Sequence, residues 1–292
     1  GILSGDCKRV GLTTQTPYKF ILHIGDIKSS WTDCDQEAYS DIAEIYSHPS
    51  NRIHYNRRDV FFLIGDNEWS DCDNRNTALS YWMNSFGNGQ KTNGRNTGPN
   101  PNGFGTLSDP NLARTLVYYD RGENSNSPFY PSSASNFSFF HKMVLFVGIN
   151  QVGGQDALPN NYQWVKKQMA RYGDRMKTVV VFAHADMRGS RWDDFGRPFQ
   201  RLLREEYPTV FCLYAHGDDH EFDIKRVDQD NANLVDLTCD SGELAEPILV
   251  SITRDSSGGG TDGLRVDRRG GRYENEQCEP QNRDKTWGSE PF

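Results

Sequence analysis

Short runs rich in Val, Ile and Phe alternate along the chain with longer stretches in which apolar residues recur every three or four positions. Continuous apolar runs are typical of strands buried on both faces, and the longer spacing is typical of amphipathic helices. We predict strands at 19–24, 59–64, 142–149, 178–183 and 209–215, with strand-like segments near 221–227, 234–238 and 247–253. This alternation predicts an α/β fold in which helices cover a parallel sheet.

Three amphipathic segments carry the helical pattern, at residues 36–48, 160–173 and 193–208. The apolar residues that share one side of each predicted helix are Ala38, Ile42, Ile45, Val165, Met169, Tyr172, Phe195, Phe199, Leu202 and Leu203. Gly173 and Pro208 stand where the second and third patterns stop, as is common at helix ends.

Two regions interrupt the alternation. Residues 87–111 hold almost no residues suited to a core and are too long for an ordinary connection. We predict a polar insertion, bounded at 87–137, that acts as a functional lid, a contact surface or a disordered loop. The C-terminal segment 255–292 is Gly-rich and polar, and we expect Cys278, the domain body or a neighbouring subunit to hold it. The predicted organisation is a domain at 1–254 followed by a tail at 255–292.

The charge and length of the chain exclude some partners. The 292 residues carry a net charge of −8 and include 35% hydrophobic residues. The charge is spread along the chain with no basic stripe, so we expect no nucleic-acid partner, because phosphate recognition requires clustered Lys and Arg. Apolar runs fall far short of the ~20 residues of a membrane-spanning helix, so we expect no membrane partner. The chain opens with no signal-peptide pattern and no Met, and we expect that it has been processed or trimmed.

The six cysteines are too widely spaced for a zinc ribbon or a redox pair. Cys212 lies inside an apolar run and is expected to be a buried thiol. Cys34 and Cys72 each follow a Gly-Asp strand ending by a similar distance. Because neighbouring strand ends lie close together, we predict a Cys34–Cys72 disulfide and leave the other pairings open. The predicted disulfide and the glycosylation sequon at Asn136 together favour a secreted or extracellular glycoprotein.

Residues that can bind a metal follow four of the predicted strands. The four endings are Gly25-Asp26, Gly65-Asp66-Asn67-Glu68, His184-Ala185-Asp186 and His216-Gly217-Asp218-Asp219-His220. The carboxyl ends of parallel strands share one edge of a sheet, so these side chains are expected to converge. Carboxylate, amide and imidazole groups suit divalent metals, and a metal pair can polarise a phosphoryl oxygen and activate water. The pattern predicts a metal-dependent hydrolase.

Each of these motifs also has a simpler structural explanation. A Gly-Asp pair after a strand is usually a turn, and a histidine at a strand end is more often structural than a ligand. Asp186 and Asp219 are expected to be caps or solvated acids. The acids around Cys34 and Cys72 suit helix N-termini. The joint occurrence of ligand-type residues at four strand ends favours the metal site.

Four segments resemble the successive blocks of the calcineurin-like metallophosphoesterase superfamily. They are HIGDIK at 23–28, IGDNEWSDC at 64–72, FAHADM at 182–187 and AHGDDHEF at 215–222. These four segments match the second to fifth blocks of the family pattern. The segment at 64–72, which matches the third block, is similar to that of a branch that reads GDNEW-x-DC, and the resemblance covers roughly 19–250. It implies a four-layer αββα sandwich with long loop insertions. It also implies a dinuclear centre that hydrolyses phosphate esters with metal-bound hydroxide.

The resemblance assigns roles to single residues. Asp26 matches the acid that bridges two divalent metals, whose identity among Mn, Fe, Zn and Ca is open. Asn67, or Asp66 if the block shifts by one, matches the asparagine ligand. The remaining matched ligands are His184, Asp218 and His220. Asn67 and His216, a substitute for the first histidine of the closing block, are the catalytic candidates.

The sequence also departs from the family pattern. In the only candidate for the first block, at Asp6, Lys8 replaces the expected histidine, which predicts a weakened or absent first metal. Lys28 places a cation two residues from Asp26, where it contacts phosphate or replaces the charge of a metal. A second expectation is therefore a catalytically degenerate extracellular protein. It would self-assemble through the tail and the insertion as a fibre or surface subunit.

Overall fold

The computed structural model describes residues 19–47, 57–86, 104–118, 136–152, 161–189, 192–219, 222–227 and 233–239, and the strand segments 248–254, 261–268, 273–274, 277–278 and 285–287. Within those last five segments, the side-chain environment is described only for Val250 and Ile252.

The helices are α1 (Gln36–Ser47), α2 (Arg75–Phe86), α3 (Pro110–Ala113), α4 (Asn161–Tyr172) and α5 (Arg197–Glu206). The strands are β1 (Ile21–His23), β2 (Val60–Phe62), β3 (Val117–Tyr118), β4 (Phe137–His141), β5 (Val144–Gly148), β6 (Thr178–Phe182), β7 (Phe211–His216), β8 (Asp223–Arg226), β9 (Leu234–Thr238), β10 (Ile248–Arg254), β11 (Thr261–Arg268), β12 (Tyr273–Glu274), β13 (Gln277–Cys278) and β14 (Lys285–Trp287).

Seven strands form the largest sheet, in the order β3-β4-β5-β6-β7-β9-β8. Its centre, β5-β6-β7-β9, is parallel, while β3, β4 and β8 add antiparallel strands at the two sides. A separate parallel pair joins β1 to β2, with His23 opposite Phe62. The predicted α/β class is confirmed, and each predicted strand overlaps an observed one.

Two helices cover one face of the seven-stranded sheet. Leu145, Val179 and Cys212, which point to this side of β5, β6 and β7, share a buried cluster with Met169 of α4 and Phe199 of α5. The predicted helices at 36–48 and 160–173 are confirmed. The third predicted helix is shorter than expected, because a π-helical turn at Trp192–Gly196 precedes α5.

The opposite face of the large sheet packs against the β1-β2 pair. Phe139, Val180 and Leu213 share a second buried cluster with Phe61 of β2, and Leu22 of β1 packs against it. Successive residues of a strand point to opposite sides of the sheet. Along β6 and β7, the residues of this second cluster therefore alternate with those of the first.

The β1-β2 pair is covered on its other side by α1 and α2. Phe62 of β2 shares a third buried cluster with Tyr39 of α1 and with Trp82 and Phe86 of α2. Phe61 and Phe62 therefore serve different cores. This arrangement buries both sides of a two-stranded sheet that would be marginal in isolation.

Part of the predicted polar insertion belongs to the core. Phe104 and Leu107 are fully buried, in the third and second clusters. The expectation that 87–111 hold almost no core residues is wrong at these two positions.

The predicted boundary after residue 254 lies between β10 and β11, which pair as antiparallel strands. Among the described helices, none is long and apolar enough to cross a membrane.

Candidate metal centre

Two glycines allow the ends of β1 and β2 to touch. A Cβ on Gly25 would lie 2.5 Å from Nδ1 of His184, and a Cβ on Gly65 would lie 2.3 Å from Oδ1 of Asp26. Both distances are shorter than real Cβ atoms show. Gly25 has φ of +104° and Asp26 has φ of +54°, conformations that favour glycine and, less strongly, Asp. The turn carries the Asp26 carboxylate towards His184.

His184, which follows β6, is the centre of the site. Its side chain is 1% exposed, and Nδ1 lies 3.0 Å from the carbonyl oxygen of Ile24. Because a carbonyl can only accept, Nδ1 carries the proton that makes this bond. Nε2 then faces three carboxylate oxygens: Oδ1 of Asp66 at 3.3 Å, of Asp26 at 3.4 Å and of Asp218 at 3.5 Å. A neutral His184 therefore presents the Nε2 lone pair to the acids, as metal-binding histidines do.

The electrostatics of the cluster reflect crowded acids around one imidazole. Burial raises the pKa of Asp26 to about 7, although the charge of His184 opposes the shift. The hydrogen bond with His184 lowers the pKa of Asp66 to about 2. Burial alone would lower the pKa of His184, but hydrogen bonds to Asp218 and Asp66 and the charge of Asp26 raise it well above its ordinary value. A bound cation would stabilise this arrangement.

Asp66 and Asn67, the two alternative ligands from the segment 64–72, have different surroundings. Asp66 belongs to the cluster with Asp26 and His184. The side-chain nitrogen of Asn67 instead donates to the carbonyl oxygen of Lys28 at 3.1 Å, and its backbone N–H donates to Asp26 at 3.3 Å. Asp66 lies among the candidate ligands, and Asn67 bonds the loop that carries Asp26.

The Lys28 ammonium bonds the backbone of its own loop. The Lys28 side chain is buried, and Nζ donates to the carbonyl oxygens of Ser29 at 3.2 Å and Thr32 at 2.9 Å. Burial lowers the pKa of its ammonium group. Lys28 stabilises the loop that follows Asp26.

The predicted disulfide is present. Cys34 and Cys72 are bonded, with their Cα atoms 5.8 Å apart. Cys34 follows the loop after β1 and Cys72 follows the loop after β2, so the bond joins the two strand endings at a second point. Cys212 is a buried free thiol, as predicted.

His216, predicted as a catalytic residue, lies apart from the cluster around His184. In the register of β6 and β7, Phe182 lies opposite Ala215, so His216 lies beside Ala183 while His184 lies one residue further on. Alternation then directs His216 to the helix-covered face of the sheet, with Ala183, and His184 to the opposite face, with Phe182.

His216 belongs instead to a second cluster. Its Nε2 lies 3.2 Å from Oδ1 of Asp236, and both side chains are fully buried. Arg188 bridges two acids there, at 2.8 Å from Asp236 and 3.2 Å from Asp186. A group of Asp186, His216 and Asp236 also has metal-ligand spacing, but the Arg188 guanidinium already supplies positive charge. Asp236 has no counterpart among the predicted site residues because it lies inside β9 and not at a strand end.

The remaining predicted site residues have different outcomes. Asp218 lies at the cluster, but His220, Asp6 and Lys8 lie outside the described residues. Asn136, the predicted glycosylation site, lies inside the fold. Its side chain is buried, its amide nitrogen donates to Asn161 at 2.9 Å, and its oxygen accepts from the N–H of Asn150 at 2.7 Å. A glycan on this nitrogen would disrupt the bond to Asn161.

The sequence matches no known protein-family model, and no curated protein matches it.

Proposed function

We propose that this protein is a metal-dependent phosphoric ester hydrolase, a phosphatase or phosphodiesterase, whose centre is formed by Asp26, Asp66, His184 and Asp218. The observation that carries the proposal is the convergence of three carboxylates on Nε2 of a buried histidine. The resemblance of four sequence segments to metallophosphoesterase blocks supports the reaction class.

The packing also supports the finer fold assignment that we propose, a four-layer αββα sandwich. Its supporting features are the α4-α5 layer on one side of the seven-stranded sheet, the β1-β2 pair on the other, and α1 and α2 beyond that pair. The site lies where β1 and β2 end beside β6. This is the sheet edge at which ligands bind in α/β proteins.

The donor set fits a divalent cation. It combines carboxylate oxygens with one imidazole nitrogen and includes no thiolate, which suits Mn, Fe, Zn or Ca in different degrees. Without a cation, Asp26 holds a proton up to about neutral pH, as its raised pKa indicates. When bound, a divalent cation would supply Lewis-acid polarisation of a phosphoryl oxygen and activation of water.

The surrounding structure orients His184 and Asp26, two of the side chains that would hold the cation. The bond from Nδ1 to the Ile24 carbonyl fixes the ring of His184 and leaves Nε2 available. The left-handed turn at Asp26 brings its carboxylate to the same point from the other sheet. Both groups are therefore pre-oriented before any ligand arrives, which lowers the cost of binding.

A second candidate function follows from the small number of imidazoles. The described residues of the cluster provide one histidine and three acids, a set suited to one cation. A non-catalytic extracellular protein that keeps such a site for stability, and that self-assembles into a fibre or surface subunit, would have the same cluster. A phosphate ester substrate would have no role in that protein.

Hydrolysis of p-nitrophenyl phosphate and of bis(p-nitrophenyl) phosphate separates the two candidates. We expect the full chain with added Mn²⁺ to hydrolyse at least one of them, and Asp26→Asn to abolish the activity. The Arg201→Met variant, at an exposed position of α5, is the control and should keep it. If both substrates stay intact with Mn²⁺, Zn²⁺, Fe²⁺ and Ca²⁺ while a cation binds at the site, the non-catalytic candidate is correct.

A further inference from the structure

Glu68 is a fully buried acid that the metal centre described above does not use as a ligand. Its carboxylate accepts three backbone hydrogen bonds. Oε2 accepts from the N–H of Gly65 at 2.8 Å and of Asp26 at 2.9 Å, and Oε1 accepts from the N–H of Lys28 at 3.2 Å. Two of these donors lie on the loop after β1 and one lies at the end of β2, so a single carboxylate bonds both strand endings.

The bonds between the two loops are reciprocal. The Asp26 carboxylate accepts from the backbone N–H of Asn67, and the Glu68 carboxylate accepts from the backbone N–H of Asp26. The Lys28 peptide is held from both sides, since its N–H donates to Glu68 and its carbonyl accepts from the Asn67 side chain. Asn67 and Glu68 therefore bind the loop that carries Asp26 through hydrogen bonds in both directions.

We propose that Glu68 is a positioning residue of the metal centre: it holds Asp26 in its left-handed turn and keeps that carboxylate beside Asp66 and His184. This proposal rests on the proposed metal-binding function. Asp26 has φ of +54°, a conformation that costs free energy unless neighbouring contacts maintain it. The bond from the Asp26 N–H to Glu68 is the direct contact that maintains it.

Two variants separate the contributions of the two carboxylate oxygens. Glu68→Gln has the same size but only one acceptor oxygen. Placed where Oε2 lies, that oxygen keeps the bonds from Gly65 and Asp26, and the new NH₂ group faces the Lys28 N–H, which loses its bond. Glu68→Ala removes all three bonds. Tyr39→Phe is the matched control, because the Tyr39 hydroxyl donates to the backbone carbonyl of Glu68 at 3.4 Å and not to its carboxylate.

Backbone amide hydrogen exchange, measured by NMR on the metal-free full chain, gives a readout that needs no metal. In Glu68→Gln we expect faster exchange at Lys28 alone, and in Glu68→Ala at Gly65, Asp26 and Lys28 together. Tyr39→Phe should leave these three amides as in the wild type. Unchanged exchange at all three amides in both Glu68 variants would overturn the proposal.

Titration with Mn²⁺ by calorimetry then tests whether holding the loops matters for the site. Residues that orient metal ligands typically contribute about 10–100-fold in affinity. We expect a loss in that range for Glu68→Ala, a smaller loss for Glu68→Gln and less than a twofold change for Tyr39→Phe. Looser amides with wild-type Mn²⁺ affinity would overturn the positioning role.

Failure of the proposed metal function and failure of the proposed role of Glu68 give different results. If the wild type binds no Mn²⁺, Zn²⁺, Fe²⁺ or Ca²⁺, the proposed metal function is wrong and with it the role of Glu68 at a metal centre. The exchange rates still show in that case whether Glu68 holds the loops. If Glu68→Ala does not fold, Glu68→Gln decides the proposal. Unchanged exchange at the Lys28 amide, or faster exchange there with wild-type Mn²⁺ affinity, would overturn it.

Discussion

Nδ1 of His184 and the carbonyl oxygen of Ile24 are hydrogen-bonded across 3.0 Å, which joins the end of β6 in the large sheet to the end of β1 in the small one. The same imidazole thus has a structural nitrogen and a nitrogen directed at three acids. The two roles can be separated by substitution.

The His184→Asn variant removes one role and keeps the other. Its side-chain NH₂ can replace Nδ1 as donor to Ile24, whereas nothing replaces Nε2. We expect it to lose divalent-cation binding and, in the absence of metal, the stability that the protonated ring gains from its three acids, while the bond to Ile24 is kept. His184→Ala leaves the buried carbonyl without its partner and should cost a further ~1–3 kcal/mol in urea unfolding. Equal stabilities of the two variants would contradict the structural role of Nδ1.

Gly65→Ala tests the close approach of the two strand endings. The added Cβ would meet the Oδ1 and backbone nitrogen of Asp26 at 2.3 and 2.4 Å, so the loops must separate. We expect a loss of ~1–3 kcal/mol of stability and weaker cation binding, measured by denaturation and calorimetry. Gly189→Ala is the control, because its Cβ would lie 3.8 Å from the nearest atom, the carbonyl oxygen of Asp186. A Gly65→Ala protein with wild-type affinity would show that the approach is not needed.

Arg188→Met tests the separation of the second cluster from the metal centre. The variant leaves Asp236 fully buried without its cationic partner. Breaking a buried pair costs ~3–5 kcal/mol, and we expect about 2–3 kcal/mol because Arg188 is one-third exposed. Cation affinity should stay at the wild-type value, since Arg188 lies on the opposite face of the sheet from His184. A large loss of affinity in a folded Arg188→Met protein would show that the clusters are coupled.

Cation binding should strengthen as pH rises. The pKa of Asp26 is raised to about 7 and that of His184 is raised above its ordinary value, so both groups hold protons at about pH 6 that a cation must displace. Each proton released makes the affinity rise about tenfold per pH unit below the pKa of that group. Calorimetry in buffers of different ionisation enthalpy counts the protons. Affinity that is constant between about pH 6 and pH 8 would show that these residues are not the ligands.

Much of this architecture could be predicted from the sequence because buried strands and amphipathic helices leave a strong apolar signal. The Cys34–Cys72 disulfide was predictable for a related reason, since both cysteines follow strand endings that parallel pairing brings together. The strand β4 was missed because its hairpin turn, Lys142-Met143, has none of the glycine or asparagine expected at two positive φ values.

The site was predictable at its strand endings and not beyond them. Asp26, His184 and Asp218 were found because each follows an apolar strand, but the face to which a histidine points depends on register, which places His216 on the other face of the sheet. Glu68 was visible in the motif, yet its burial and three backbone bonds depend on how two loops meet. Asp236 gave no signal, because an acid inside an apolar strand is interpretable only when its partner Arg188 is known.

The central claim is that Asp26, Asp66 and His184 bind a divalent cation. Anomalous diffraction at the manganese edge, from crystals of the full chain grown with Mn²⁺, tests it most directly. We predict an anomalous peak beside Nε2 of His184 and the carboxylates of Asp26 and Asp66, and its absence in His184→Asn. An empty site in the wild type, or a peak only among Asp186, His216 and Asp236, would contradict the account.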